Sequence, residues 1–321
     1  MKKVLAVLAA LSLGFGTAMA VDDNTVEIVY NGTSATVTVA SNIESYVSNV
    51  SNGAHVKLVQ SDQVNDKVGE IIYILSGTSS DGEFYLEGSY KCGLELRGLT
   101  LTNPSGPAIN IQNGKRVEVS VKKGYSNSIA DGANDDYNGC FHCKGHTEFK
   151  GAGTLTVVGN SKHAIYSKEY IEVKKCVINI TDAVKDAIHC QEYFYMESGT
   201  INITGAADDG IQVELRGDKS TGITAGHEDE DTGNFYMEDG TLTIKGYGGK
   251  AIKVDGTISY MGGKQDFDTT DTTVATGVNA VRGGAVSDGA AVYTLDGRKV
   301  AQPGSGLYII RDGKEVKKIK K

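Results

Sequence analysis

Beyond about residue 70 the chain alternates single apolar positions with polar ones in short runs separated by Gly, Asn, Asp and Ser. A period of two is the pattern of half-buried strands. The runs also recur in register. KHAIYS at 162–167 is followed by KDAIHC at 185–190 and DDGIQV at 208–213, each 23 positions on. NGCFHC at 138–143 precedes the first copy by 24, and GKAIKV at 249–254 follows the last by 41, which is one repeat of 23 plus an insertion of 18. A second track puts Phe149, Val173, Met196, Met237 and Met261 in one column. A third holds TLTV at 154–157, VINI at 177–180, TINI at 200–203 and TLTI at 241–244.

Each unit thus contains three short strands in a fixed order, with no room for a crossover helix. One three-sided coil per repeat satisfies this, its parallel strands stacked about 4.8 Å apart. The expected fold is all-β: a single parallel β-helix, or solenoid, of about 23 residues per coil, with a short C-terminal β tail. Side chains alternate along a strand, so Ile165, Ile188, Ile211 and Ile252 form one inward stack with Phe141 above them. Leucine-rich and propeller repeats fit worse, because neither their helical half-repeat nor their signatures occur. Upstream, EIIYILSG at 70–77, GLELRGLTL at 93–101 and AINI at 108–111 share this grammar without its spacing and read as irregular early coils. Residues 21–62 are expected to cap the open end of the stack, where unpaired strand edges invite aggregation. Residues 264–288, rich in Asp, Thr, Gly and Ala, read as a linker. The β-helix with its cap then occupies 21–263, and a tail occupies 289–321.

Composition adds compartment and partner. Lys2 and Lys3, an apolar run from Val4 to Phe15 and the small-x-small Ala18-Met19-Ala20 give residues 1–20 the form of a secretory signal peptide, with a mature start near Val21. No later stretch is long and apolar enough to span a bilayer, so no transmembrane segment is expected after cleavage. The net charge of −8 becomes −10 without Lys2 and Lys3, and no basic stripe exists, so nucleic acid is not an expected partner. With 41 glycines, 3 prolines and no tryptophan, the chain has the makeup of strands and turns. Its five cysteines are an odd number for an exported protein and leave at least one unpaired, and Cys143 and Cys190, two coils apart in one inward column, are expected to be buried free thiols.

Candidate chemistry lies on the first strand of each coil. Positions flanking the Ile stack form outward ladders: His142, Tyr166, His189, Gln212 and Lys253 in one, Lys144, Lys168, Gln191, Glu214 and Asp255 in a second, and His163, Asp186, Asp209 and Lys250 at the leading edge. Asp186 and Asp209 are one coil apart, and carboxylates so close repel unless a proton or cation lies between them. Calcium, with its oxygen ligands and flexible geometry, is the expected ion, with Asp208 completing the set. The competing expectation is that these Asp side chains cap turn amides. Zinc at Cys140, His142 and Cys143 is disfavoured because neighbouring strand positions face opposite ways. The acidic stretches at 131–136 and 228–231 are weaker candidates.

From Glu70 to Gly263 the chain resembles the carbohydrate-binding β-helix family related to pectate lyases. IIYILSGTSSDGEF, LELRGLTLTNPSGPAINIQNGKRVEVSV, SNSIADG, GAGTLTVVGNSKHAIYSKEYIEV and ADDGIQVE carry the resemblance. It implies a right-handed parallel β-helix, calcium, and binding of polygalacturonate or cellulose. The tail, with Ala291 to Val300 (AVYTLDGRKV), Gly306 to Ile310 (GLYII) and a Lys-rich end, resembles the C-terminal sorting domain of type IX secretion. That resemblance implies handling by the type IX export machinery and a secreted or cell-surface location. The resulting expectation is calcium-assisted binding of an acidic polysaccharide, with Tyr166, Lys168, His189, Gln212 and Lys253 gripping the glycan and Asp186, Asp208 and Asp209 holding the ion. A lyase using Lys168, Lys144 or Lys253 as base, or a hydrolase using Asp186 with Asp209 or Asp208, is the enzymatic alternative. ADDGI resembles the Asp pair of polygalacturonases, but their Gly-His-Gly and Arg-Ile-Lys motifs are absent. A structural or adhesin-like solenoid is the third reading.

Overall fold

The computed structural model describes residues 21–133, 135–217, 221–223, 227, 230–268, 291–293, 299–300, 307–312 and 315–320. The signal-peptide segment and most of the 264–288 stretch lie outside the described residues. What is described is a parallel β-solenoid of about eight turns.

Each coil has three sides. Face one stacks His55–Gln60, Glu83–Gly88, Ile109–Asn113, Gly139–Cys143, His163–Ser167, Ile188–Gln191, Ile211–Glu214 and Ile252–Val254. Face two runs through Val117–Val121, Thr147–Gly151, Ile171–Lys174, Tyr193–Met196, Asn234–Met237 and Ile258–Tyr260. Face three contains Ser126–Asp131, Thr154–Gly159, Val177–Ala183, Thr200–Ile203, Thr241–Ile244 and Lys264–Phe267.

The repeat predicted from the sequence is the register of face one. Phe141 pairs with Ile165, Ile165 with Ile188, Ile188 with Ile211 and Ile211 with Ile252. All five are buried, and each aliphatic side chain so removed from water contributes roughly 1.5–3 kcal/mol. The column of Phe149, Val173, Met196 and Met237 also holds, but it continues to Tyr260 and not to Met261, whose amide instead donates to the Met237 carbonyl. Lys264–Phe267 extends face three by pairing with Thr241–Ile244, so the solenoid runs past residue 263 into the stretch expected to be linker. The alternation there was hidden because three of those four side chains are exposed.

The early coils look irregular because one corner is not a turn. In Ile71–Ser79 and Cys92–Asn103 a single strand crosses from face two to face three, bending at Gly77 and Gly98, both in the left-handed region. A Cβ on Gly77 would lie 2.2 Å from the Tyr30 carbonyl oxygen, so only glycine fits there. The open N-terminal end is covered by an antiparallel hairpin, Thr25–Asn31 with Ser34–Val39, and a 3-10 turn, Ser41–Tyr46, that buries Ile43. His55–Gln60, inside the expected cap, is already a coil strand, pairing in parallel with Glu83–Gly88. All five cysteines are buried and free, Cys143 and Cys190 as expected. In the tail, Ala291–Tyr293, Lys299–Val300, Leu307–Asp312 and Glu315–Lys320 form a four-stranded antiparallel sheet.

Candidate functional site

Two polar surfaces lie side by side on the coils: the ladder on face one and a cleft at the corner between faces one and two. Parallel register places Tyr85, Asn110, His142, Tyr166, His189, Gln212 and Lys253 in one continuous column. Because aromatic and imidazole rings recur at the strand spacing, they stack on one another. His142 and Tyr166 lie 5.1 Å apart at 11°, and Tyr166 and His189 5.4 Å apart at 24°. Tyr166 and His189 are each only 8% exposed. Tyr166, expected to grip the glycan, thus has both ring faces covered by imidazoles.

The remaining predicted glycan residues are scattered along the column's edges. Gln212 donates through Nε2 to the Glu214 carboxylate, and Lys253 Nζ lies 3.0 Å from Asp209 Oδ2. Lys168 sits just past the last paired residue of its strand, exposed, and its backbone amide donates to the Cys143 carbonyl.

Asp186, Asp208 and Asp209 can each bring one carboxylate oxygen within 4.8 Å of the others, but two of the three are already engaged. Asp186 Oδ1 accepts the Asp209 amide at 3.0 Å, while Oδ2 lies 3.0 Å from His189 Nδ1 and 3.3 Å from His163 Nδ1. Asp209 Oδ1 in turn accepts the Lys250 amide at 2.7 Å. This is turn capping repeated from coil to coil, with Lys253 facing the remaining Asp209 oxygen. Asp186 is 1% exposed; burial alone would raise its pKa, yet the two imidazoles and the Asp209 amide hold it well below the usual carboxylate range. Calcium needs six to eight oxygens, and to gather them here it would have to displace an ammonium and two imidazoles. The residues fit calcium poorly.

The cleft has a volume of about 970 Å³. Thr147, Ile171 and Phe194 are in register on face two, so the residues before them, His146, Tyr170 and Tyr193, meet at the corner. His146 stacks on Tyr170 at 4.2 Å, Tyr170 on Tyr193 at 4.7 Å, and Tyr193 packs against His227 of the insertion at 5.2 Å. The next outward column is acidic: Glu118, Glu148 and Glu172. Tyr170 donates to Glu148 at 2.9 Å and Tyr193 to Glu172 at 3.0 Å. Burial raises Glu172 from the ordinary range despite its tyrosine donor.

Below the rings, Glu169 and Glu192 leave successive turns as a buried carboxylate pair. Glu192 does so from the left-handed region, at φ 68°, which is rare without glycine and marks a position held by its surroundings. His146 Nε2 lies 2.8 Å from Glu169 and 3.5 Å from Glu192, and Arg216 lies 2.7 and 2.9 Å from their other oxygens. Burial would lower the His146 pKa, but the two carboxylates outweigh it and raise the imidazole to about 9. Arg216 is carried by the insertion, whose ends are tied together by Asp231 accepting the Arg216 and Gly217 amides at 2.8 Å.

Of these residues the sequence pattern singled out only the acids near 230, as weaker candidates, and missed His146, Glu169, Tyr170, Glu192, Tyr193 and Arg216. A signal existed: Glu-Tyr occurs at 169–170 and again 23 residues on at 192–193. Of the acidic loop at 131–136, Asp135 and Asp136 border a separate hollow of about 320 Å³ beside Tyr85 and Tyr137, while Asp131 is buried, accepts the Asn160 amide and is raised by burial to about 6.

A family model described as carbohydrate-binding domain-containing protein matches residues 64–302. Among solved structures, the chain is similar to one titled as the polysaccharide lyase-like protein from C. thermocellum, in a gadolinium derivative. The match has 20% identity and a TM-score of 0.58, covering 75% of this chain and 99% of that one. At this identity the likeness speaks to the fold. No curated protein matches the sequence. No helix among the described residues is long and apolar enough to cross a membrane.

Proposed function

This chain belongs to the family of carbohydrate-binding domain-containing proteins, and from that premise we propose that it is an exported polysaccharide-binding solenoid whose glycan lies in the corner cleft. The observation that carries this reading is the column of His146, Tyr170 and Tyr193 beside a column of fixed carboxylates, within a cleft at the upper end of the roughly 300–1,000 Å³ of ligand sites. The stacked rings, with Tyr193 almost fully buried, form a firm wall whose half-buried His146 and Tyr170 edges border the cleft, and the carboxylates beside them accept from hydroxyls.

The charge pattern selects the kind of glycan. Among the described residues, six carboxylates line the cleft, from Glu148, Glu169, Glu172, Glu192, Glu230 and Asp231, beside Lys115 and two ion-paired guanidiniums, Arg116 with Glu70 and Arg216 with Glu169 and Glu192. A neutral, hydroxyl-rich glycan suits such a surface, whereas a polyuronate would meet like charge. Beyond the sequence resemblance, the acidic, calcium-assisted reading draws support from the convergence of Asp186, Asp208 and Asp209, two of which are already engaged.

Retention of the purified protein on cellulose, xylan and polygalacturonate, with calcium or chelator, tests this, with released sugar measured in the same incubations. Retention on a neutral glycan, without product, lost in Tyr170→Ala and kept in Lys168→Ala, is the expected result. Retention on polygalacturonate that needs calcium and is lost in Asp209→Asn would overturn it in favour of the ladder. Export rests on the leader-like residues 1–20 and the sorting-like tail. Truncation at Asp288 is expected to leave binding intact and stop surface display.

A further inference from the structure

The geometry points to a transition-metal site on face one, built from His163, Asp186 and His189 and suited to zinc. It does not depend on the glycan reading.

One carboxylate oxygen, Asp186 Oδ2, faces the Nδ1 atoms of two imidazoles, at 3.0 Å for His189 and 3.3 Å for His163. The three donor atoms lie within 4.8 Å of one another, and all three residues are more than nine-tenths buried. Zinc takes nitrogen and carboxylate ligands at about 2.0–2.2 Å, so a tetrahedron around it has edges of roughly 3.4 Å. The observed Nδ1 to Oδ2 separations match those edges.

The cluster is more than an ion pair. His163 Nδ1 is buried and makes no hydrogen bond of acceptable angle, even though Asp186 is nearby. A buried imidazole nitrogen left without a hydrogen bond, beside a second imidazole and a carboxylate, is what a metal ligand requires. Surrounding groups also aim these ligands as metal sites do. The Asp209 amide holds the other Asp186 oxygen at 3.0 Å, fixing the carboxylate plane. An ion bound at His189 Nδ1 would displace the proton that Nδ1 shares with Asp186 Oδ2 at 3.0 Å, and Nε2, which faces Glu214 Oε2 at 3.5 Å, would carry the proton instead. The ligands come from successive coils, with Asp186 and His189 on one and His163 on the coil before. A bound ion would therefore staple two turns of the solenoid. Two nitrogens and one oxygen suit zinc, cobalt or nickel and disfavour calcium, and three protein ligands leave one tetrahedral position for water.

The test uses the tag-free chain, stripped with chelator and dialysed. Zinc is titrated against a chromophoric competitor, cobalt binding is followed by its visible absorption, and the zinc-loaded protein is examined by X-ray absorption. One equivalent of zinc, a four-coordinate cobalt spectrum and a first shell of two imidazoles with oxygen are expected. His163→Gln and His189→Gln should each lower affinity by about 100-fold or more, Glu214→Gln by about 10-fold, and His146→Gln in the cleft not at all. Failure of the stripped wild type to bind one equivalent would overturn the assignment. So would binding that survives His163→Gln and His189→Gln but falls with His146→Gln. The cobalt and X-ray measurements on the wild type decide the matter even where a variant folds poorly.

Discussion

The ladder on face one and the corner cleft are built from the same coils, yet their polar groups are satisfied in different ways. On the ladder each group finds its partner one coil away: Asp186 holds the amide of Asp209, and Tyr166 stacks between His142 and His189. In the cleft the decisive partner comes from outside the repeat. Arg216 reaches Glu169 and Glu192 from the 18-residue insertion, and His227 closes over Tyr193. A repeat satisfies its own columns by stacking like on like, which fills the ladder and leaves its rings covered. The cleft's rings stack in the same way, but a concave site arises there because the insertion interrupts the repeat.

The largest perturbation erases both surfaces together. Ile188 is buried in the stack between Ile165 and Ile211, and Ile188→Asp would bury an unpaired charge among aliphatic side chains. A loss of about 4 kcal/mol or more is expected, enough to abolish cooperative melting. A soluble variant with a normal melt would mean that the stack is not the common foundation.

Arg216→Ala should separate the two. It leaves two buried carboxylates facing only His146, and because the guanidinium is 44% exposed the cost is screened to about 1–2 kcal/mol. Glycan retention should fall with it, whereas zinc affinity at His163, Asp186 and His189 should stay unchanged. Equal damage to both would show the surfaces to be energetically one.

This division follows what the sequence could express. The inner columns and the face-one ladder were legible because a repeat of 23 writes each in-register contact as a visible alignment of like residues. What failed had physical causes. Met261 was placed one position off because the last coil keeps the ordinary 23-residue step from Met237, which gives Tyr260 the inward-column register. The ladder's orientation was right and its accessibility wrong, since periodicity gives direction but not how far stacked rings shield each other. The cleft escaped because its rings and buried acids sit in turns or at strand starts, where alternation carries little signal, and because Arg216 arrives from a segment without a counterpart in other coils.

Acid and alkali should report on the two regions separately. His146 in the cleft is raised to about 9, so the fold binds its proton more tightly than the unfolded chain, whose imidazole titrates near 6.5. That stabilisation is fully present below about pH 6.5 and is lost as pH rises through about 9. His142 on the ladder is lowered to about 4 by burial and by the nearby Lys144 and Lys162, so its contribution is present above about pH 6.5 and lost as pH falls towards 4. Melting temperatures of chelated protein should therefore decline on both sides of neutrality. His146→Gln should flatten only the alkaline limb and His142→Phe only the acid one. An alkaline limb untouched in His146→Gln would remove the cleft from that role.

The smallest expected effect concerns the ladder's downstream edge, where the calcium expectation is decided. Lys253 Nζ faces Asp209 Oδ2 at 3.0 Å from a side chain that is 45% exposed, a pair whose loss costs about 1 kcal/mol or less. Because the ammonium already neutralises the oxygen that calcium would need, the melting temperature of zinc-free wild-type protein should be the same with calcium or with chelator. Lys253→Met frees that oxygen while retaining much of the apolar stem, and it leaves three carboxylates converging without a cation. The variant should melt slightly lower than wild type in chelator and recover part of the difference in millimolar calcium, by ordinary ligand linkage. Calcium stabilisation of the wild type, lost in Asp209→Asn, would mean instead that the ion displaces Lys253 unaided. The ladder, and not the cleft, would then hold the cation through which an acidic glycan could bind.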